Sequence, residues 1–124
     1  MKLLLDTNVV VWMTGWRQRL RPEVLTALAD RGNELVVSTA SLLEIASKTA
    51  RGRLAFDDQM LGDLERQVRF LPVSASHAWR VARLPVLHTD PFDRLLVAQA
   101  LEERMVLVTG DHALSAYDVP LLLT

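Results

Sequence analysis

The chain has 124 residues, half of them hydrophobic and less than a quarter charged, and its net charge is −1. This composition is typical of one globular domain and excludes both a disordered chain and the overall basic charge that marks many nucleic-acid-binding proteins. It contains no cysteine, which excludes disulfides, thiol catalysis and cysteine-based zinc sites. No apolar run is long enough to span a bilayer, and Asp6 interrupts the apolar start too early for a signal peptide. We therefore expect a cytoplasmic protein.

Short apolar runs alternate with segments of helical periodicity along the whole chain. The predicted strands cover residues 3–5, 35–37, 70–73, 105–108 and 121–123. The predicted helices cover residues 9–13, a segment from Pro22, residues 41–51, a segment from Asp57, a segment from Ser74 or Ser76 through Arg83, and residues 91–104; a short turn covers 113–117. This strand–helix alternation predicts an α/β sandwich with a mostly parallel central sheet.

Two acidic residues come directly after predicted strands. Asp6 ends the first strand, and Asp111 follows the fourth strand through Thr109 and Gly110. Ligands of open parallel sheets bind beyond the carboxyl ends of the strands, where both acids would lie. Each acid also has a purely structural interpretation, because Asp6 can cap the next helix and Asp111 can be a turn residue.

Two further acids lie at or within helices. In H-T-D-P-F-D, residues 88–93, Asp90 is a good N-cap, Pro91 suits the first helical position, and Asp93 can reach back to the cap from the third. Capping alone explains this stretch. Glu44 is flanked by apolar residues in the helix after the second strand, and its structural alternative is an ion pair with Lys48, four residues on.

The combination of acids is more specific than any one of them. Asp6, Glu44, Asp93 and Asp111 come from four separate elements. If they converge, two carboxylates about 4 Å apart repel by roughly 4 kcal/mol at an effective dielectric constant of about 20. Such a cluster needs protonation or bridging cations. Oxygen ligands suit Mg²⁺ or Mn²⁺, which activate water and support attack on a phosphodiester. A divalent metal site is therefore a hypothesis from spacing alone.

Four stretches in this order resemble PIN-domain ribonucleases, and most closely the VapC toxins of bacterial VapBC toxin–antitoxin pairs. They are L-L-L-D-T-N, S-L-L-E-I-A-S-K, H-T-D-P-F-D-R-L-L-V-A-Q-A and V-T-G-D, and the resemblance extends over the whole chain. The resemblance implies a single PIN domain over residues 1–124, folded as a three-layer α/β sandwich with helices on both sides of the sheet. It also implies a metal-dependent endoribonuclease that hydrolyses RNA phosphodiester bonds with metal-activated water.

The resemblance assigns roles to individual residues. It implies that the catalytic residues and ligands of Mg²⁺ or Mn²⁺ are Asp6, Glu44, Asp93 and Asp111. Possible supporting residues are Thr7, Asn8, Asp90 and Thr109. Capping and turn formation explain Thr7, Asn8 and Thr109 equally well, and we expect Asp90 mainly to cap.

Other polar residues near these motifs have simpler expected roles. We expect Ser41 to start a helix, and His88 and His112 to lie on the surface. The cations that could line an RNA groove are Lys48, Arg51, Arg53 and Arg94, although a solvated or ion-paired surface position explains each one better.

The resemblance also implies partners. Toxins of this type form homodimers and are held by a small VapB-like antitoxin, one segment of which covers the acidic groove. Trp12 and Trp16, four residues apart, can stack on one helical face. The apolar face formed by Val9, Val10, Trp12 and Met13 is a candidate contact surface, although we expect it to be core.

Three other functions are alternatives to the nuclease. A catalytically inactive PIN-like module that binds RNA or protein is the main alternative, and the complete set of four acids argues against it. A hydrolase with an aspartyl nucleophile usually has a second Asp two residues after the first, where this chain has Asn8. A receiver domain would need paired acids at the first strand and a lysine after a late strand, and neither is present.

Overall fold

The computed structural model describes residues 1–124 and contains five strands and six α-helices. The strands are β1 (Lys2–Leu5), β2 (Glu34–Ser38), β3 (Arg69–Leu71), β4 (Val106–Thr109) and β5 (Leu121–Leu123). The helices are α1 (Thr7–Gly15), α2 (Pro22–Ala29), α3 (Thr39–Ala50), α4 (Asp58–Gln67), α5 (Ala75–Arg80) and α6 (Pro91–Glu103). Short 3₁₀ segments follow α1, α5 and β4, at Arg17–Arg19, Val81–Arg83 and His112–Ala116.

The strands form one sheet in the order β3-β2-β1-β4-β5, and all neighbouring pairs are parallel. The predicted α/β sandwich is therefore confirmed, and the sheet is entirely parallel. The first strand lies in the centre, with Leu4 opposite Val36 on one side and Leu107 on the other. After β1 the chain adds β2 and β3 on one side, and it then crosses back to add β4 and β5 on the other side of β1. This reversal opens a crevice at the carboxyl ends of β1 and β4, where ligands of such sheets bind.

Helices cover both faces of the sheet because successive strand residues point to opposite faces. Leu3 and Leu5 belong to a buried cluster with residues of α1 to α4, whereas Leu4 belongs to a second cluster with residues of α6. These are the three layers of the sandwich. The expectation that the apolar face of α1 is core holds for Val9, Val10 and Met13, which are buried.

Caps decide where several helices begin. The hydroxyl of Ser38 accepts the N–H of Ala40 at 3.1 Å, so α3 starts at Thr39. The expectation that Ser41 starts this helix is wrong. Ser74 caps α5, which ends at Arg80 and continues as a 3₁₀ turn to Arg83. None of the helices combines the length and the apolar run that crossing a membrane requires.

Candidate metal centre

Asp6 lies at the crevice, directly after β1, and both oxygens of its carboxylate are hydrogen-bonded. Oδ1 accepts the backbone N–H of Thr7 at 2.7 Å, which caps α1. Oδ2 accepts the hydroxyl of Thr109 at 2.7 Å, from the end of the neighbouring strand β4. The residue is only 6% exposed. Asp6 is therefore a helix cap and a buried acid of the crevice at once.

Thr109 links Asp6 to the next acid along the crevice. Its hydroxyl oxygen accepts the backbone N–H of Asp111 at 3.0 Å while its proton goes to Asp6. Asp111 Oδ1 accepts the N–H of Ala113 at 3.0 Å and caps the 3₁₀ segment that follows. Turn formation and support of the acids are therefore combined in one buried hydroxyl.

Asp90 caps α6, as the sequence predicts. Its Oδ1 accepts the N–H groups of Phe92 at 2.8 Å and Asp93 at 3.4 Å. The predicted return bond from Asp93 to the cap does not form, because the Asp90 N–H donates to Nδ1 of His88 at 3.1 Å instead. The carboxylate of Asp93 is thereby left free of helix capping.

His88 joins Asp93 of α6 to Asp111, which follows β4, so the expectation of a surface role is wrong. Because Nδ1 accepts the Asp90 N–H, the ring proton lies on Nε2. Nε2 then donates to Asp111 Oδ2 at 3.0 Å, and Asp93 Oδ2 lies at 3.5 Å. These ligand-type atoms of His88, Asp93 and Asp111 all lie within 4.8 Å of one another. His112, by contrast, is exposed as expected.

The electrostatics of the crevice favour added positive charge. The pKa of Asp93 is raised from 3.8 to about 7, mainly by burial and then by the charges of Asp6, Asp90 and Asp111, while His88 opposes the rise. Burial also raises the pKa of Asp6, against the lowering effect of its hydrogen bonds from Thr109 and Thr7. Buried carboxylates that resist ionisation are typical of functional sites.

Glu44 borders this cluster from α3. Its negative charge raises the pKa of Asp6, as does that of Asp111. It also forms the alternative contact considered from the sequence, an ion pair with Lys48 at 3.5 Å. About a quarter of the Glu44 side chain is exposed, so the ion pair faces solvent while its charge acts on the buried acid.

The comparisons with known proteins agree with this geometry. The family model of the PIN domain matches residues 3–120. The chain belongs to the PIN-domain family. This confirms the family to which the four sequence stretches point. Ribonuclease VapC22 of Mycobacterium tuberculosis is 31% identical over 122 residues, which cover 95% of this chain and 93% of that protein.

Solved structures share the fold of this PIN domain. VapBC2 from Rickettsia felis, bound to a DNA fragment from its promoter, aligns with a TM-score of 0.76 at 20% identity, covering 99% of this chain and 98% of that one. DNA-bound VapBC from Salmonella typhimurium aligns with a TM-score of 0.71 at 13% identity, covering 98% and 97%. At these identities the likeness establishes the three-layer architecture.

The remaining predicted residues of the PIN domain have varied surroundings. Thr7 is buried and contacts Asp6 through its backbone N–H, whereas Asn8 is exposed. Ser41 is buried inside α3, and its hydroxyl has no hydrogen-bond partner. Arg94 does not face a groove, because its guanidinium donates to the carbonyls of Val81 at 3.2 Å and of Leu84 at 3.1 Å. Arg51 and Arg53 are exposed.

A second cluster, formed by His77, Glu102 and Glu103, has the composition of a metal site. The protonation of its histidine, however, prevents metal binding. Nδ1 of His77 accepts the N–H of Ser74 at 3.1 Å, so Nε2 carries the ring proton and donates to Glu103 at 2.9 Å. A nitrogen that donates a proton cannot ligate a cation. This cluster instead ties α5 to the end of α6.

The donor atoms of the first cluster fit a hard divalent cation. Asp6, Asp93, Asp111 and Glu44 offer only carboxylate oxygens, and Nε2 of His88 is a hydrogen-bond donor. Oxygen donors suit Mg²⁺ and Mn²⁺, whereas zinc sites draw on nitrogen or sulfur. The raised pKa of Asp93 also favours a bound cation, because the positive charge would stabilise the ionised form of this carboxylate.

Proposed function

We propose that this PIN domain is a metal-dependent endoribonuclease and the toxin of a toxin–antitoxin pair. The observation that carries the proposal is the convergence of Asp6, Asp93 and Asp111 at the carboxyl ends of β1 and β4, bordered by Glu44. A relative named as a ribonuclease, 31% identical over almost the whole length, supports the reaction. The acids also provide the charge that hydrolysis of a phosphodiester with a divalent ion requires.

Asp6, Glu44, Asp93 and Asp111 would hold Mg²⁺ or Mn²⁺. A bound divalent ion would lower the pKa of water and stabilise negative charge developing at the phosphate. The chain itself positions the ligands. Thr109 holds the second oxygen of Asp6, and His88 holds that of Asp111.

Asp90 and Asp93 have different roles at the start of α6. Asp90 begins the helix and fixes the orientation of His88 through its backbone N–H. Asp93, which makes no capping bond, presents its carboxylate to the other acids. A cation bound there would hold this carboxylate in its ionised form.

Partners of the chain are proposed from its relatives. The Rickettsia felis and Salmonella typhimurium structures are VapBC complexes, which supports a small VapB-like antitoxin as the protein partner. RNA is the proposed substrate, and its hydrolysis would take place in the cytoplasm. The homodimer expected from the resemblance remains a prediction.

The test is cleavage of defined RNA by the purified, antitoxin-free chain in Mg²⁺ or Mn²⁺, with EDTA as the metal-free control. We compare the wild type with Asp93→Asn and Asp90→Asn. Asparagine keeps the cap, so Asp90→Asn should retain most activity. Asp93→Asn should lose more than about 100-fold, because the partners that merely orient ligands already cost about 10- to 100-fold.

Three outcomes would change the proposal. A folded wild type that cuts none of a broad RNA panel would favour the inactive binding module. Equal activity in Mg²⁺ and in EDTA would exclude the metal. Equal loss of cleavage activity in both folded variants would contradict the different roles of Asp90 and Asp93. The charge of the capping residue would then matter as much as that of the ligand.

A further inference from the structure

An aromatic and basic surface lies at the end of α1. The guanidinium carbon of Arg19 lies 5.8 Å from the ring centroid of Trp12 and also 5.8 Å from that of Trp16. Both distances are within the range of a cation–π contact. Trp16 is 51% exposed, and Arg19 is exposed as well. A large aromatic side chain and a cation are therefore held together facing solvent. We call Trp12, Trp16 and Arg19 the tryptophan surface.

The tryptophan surface begins beside the acidic cluster, which consists of Asp6, Glu44, Asp93 and Asp111. A Cβ placed on Gly110 would lie 3.2 and 3.3 Å from two atoms of the Trp12 ring, so the ring packs directly on this glycine. Gly110 lies between Thr109, whose hydroxyl donates to Asp6, and Asp111, which is one of the acids. Trp16 follows one helical turn later. A strand of nucleic acid leaving the acids in this direction would meet Trp12 first and then the exposed Trp16.

The charges of this region are free to bind an anion. Neither Arg17 nor Arg19 forms an ion pair, although both are exposed in the 3₁₀ segment after α1. Arg21, two residues on, is paired with Glu23, and the cation nearest Glu44, Lys48, is paired with that acid. Unpaired arginines beside an acidic site suit the phosphates of a substrate whose scissile group lies among the acids.

We propose that the tryptophan surface binds single-stranded RNA next to the acidic cluster. An unpaired base stacks on Trp16, and the neighbouring phosphate contacts Arg19 and Arg17. A flat aromatic group beside an unpaired cation matches the two parts of a nucleotide, its base and its phosphate. A base within a duplex has no free face to offer, so the surface selects unpaired RNA. The inference rests on the proposed ribonuclease function and names how its substrate is held.

The experiment measures RNA affinity by fluorescence anisotropy with the full-length protein in EDTA, so that no cleavage occurs. The probe is a short fluorescein-labelled single-stranded RNA of mixed sequence, and the same sequence as a duplex is the comparison. Trp16→Ala should weaken binding of the single strand about 5- to 150-fold, the loss expected for one stacked base. Trp16→Phe should retain most of the affinity, and binding of the duplex should change little in either variant.

Two more variants separate stacking from charge and from general surface effects. Arg19→Gln should lower the slope of log affinity against log salt by about 0.7, the value for one phosphate contact on a single strand. Trp79→Ala is the matched control, because Trp79 is 69% exposed and lies on α5, which packs with α6 on the other face of the sheet. It should bind RNA like the wild type. Circular dichroism checks that every variant is folded.

Cleavage of the same RNA in Mg²⁺ or Mn²⁺ is measured in parallel, which separates the two proposals. A wild type that cuts RNA, with Trp16→Ala binding and cutting equally well, would overturn the tryptophan surface and leave the nuclease. A wild type that binds through Trp16 but cuts neither this RNA nor any member of the broad panel would support the surface and overturn the nuclease. Absence of RNA binding would overturn the surface. So would a Trp16→Ala variant that alters only the mass measured by light scattering, because the surface would then be an interface between copies.

Discussion

Replacing Asp93 by asparagine should stabilise the metal-free protein at alkaline pH, although the residue is a proposed ligand. In the unfolded chain this carboxyl ionises near 3.8, whereas in the folded chain its pKa is about 7. The unfolded state therefore releases the proton first. Stability is fully present below pH 3.8, and it falls as pH rises toward 7. Asparagine has no proton to release and avoids this loss.

The expected size of the effect follows from the pKa. A rise from 3.8 to about 7 corresponds to about 4 kcal/mol at pH 8. A fifth of the Asp93 side chain is exposed, and the water that reaches it lowers the cost of burying the charge and screens the repulsion, so we take half of this value, ~2 kcal/mol. For 124 residues, 1 kcal/mol shifts the melting temperature by about 4 °C. Asp93→Asn in EDTA at pH 8 should therefore melt about 8 °C above the wild type.

Added metal should reverse this order. Mg²⁺ at about 100 times its Kd would stabilise the wild type by about 2.7 kcal/mol, or about 10 °C in melting temperature. Asp93→Asn should gain much less. The assay is differential scanning calorimetry from pH 4 to 8, in EDTA and in Mg²⁺. The control is Asp118→Asn, an exposed acid without an ion-pair partner, which should follow the wild type throughout.

Two results would refute the reasoning. If Asp93→Asn melts below the wild type in EDTA at pH 8, the cluster does not destabilise the metal-free fold. If the difference between the two proteins is the same at pH 4 as at pH 8, ionisation of Asp93 is not its cause.

Substitutions at three positions test the local contacts. His77→Ala should cost about 1–3 kcal/mol in urea denaturation, because it removes a buried ring that accepts the Ser74 N–H and donates to the charged Glu103 carboxylate; unchanged stability would contradict the assigned link between α5 and α6. Gly110→Ala should cost about 1–3 kcal/mol and shift tryptophan fluorescence, because the new Cβ meets the Trp12 ring at 3.2 Å; a neutral effect would show that the ring is mobile. Asp90→Ala should cost about 1 kcal/mol in the same denaturation, and Asp90→Asn much less; equal losses would show that charge, not capping, matters.

The order of strands and helices could be predicted because each apolar run or period reflects burial on one or both faces of the sheet. The start of α3 could not, because Ser38 and Ser41 are equally good caps in the sequence. The choice depends on where β2 ends, and β2 ends at Ser38, opposite Leu71 of β3. That register is a contact between residues far apart in the chain, so local patterns do not contain it.

The candidate site shows the same distinction between local features, which the sequence contains, and contacts between distant residues, which it does not. Asp6 and Asp111 could be predicted because a strand end is itself a local feature. The role of His88 depends on Asp111, 23 residues away, and the role of Arg94 on the carbonyl of Val81, 13 residues away. Both partnerships exist only once the segment before α6 has folded, against Asp111 after β4 for His88 and against α6 for Arg94. The only local signal for His88 is its position two residues before the cap of α6.

Capping and metal binding are not competing explanations of these aspartates, because a carboxylate has two oxygens. Asp6 and Asp111 each use Oδ1 for the N–H of a following helical segment and turn Oδ2 toward the cluster. Helix formation thus fixes the rotamer of a group whose other oxygen serves the site. Asp93 has no such cap, and it is the acid whose pKa rises to about 7. Its charge is therefore the one that a cation would most relieve. Asparagine at Asp6 or Asp111 keeps a capping oxygen but removes the charge, so these two Asp→Asn variants separate the two roles where alanine cannot.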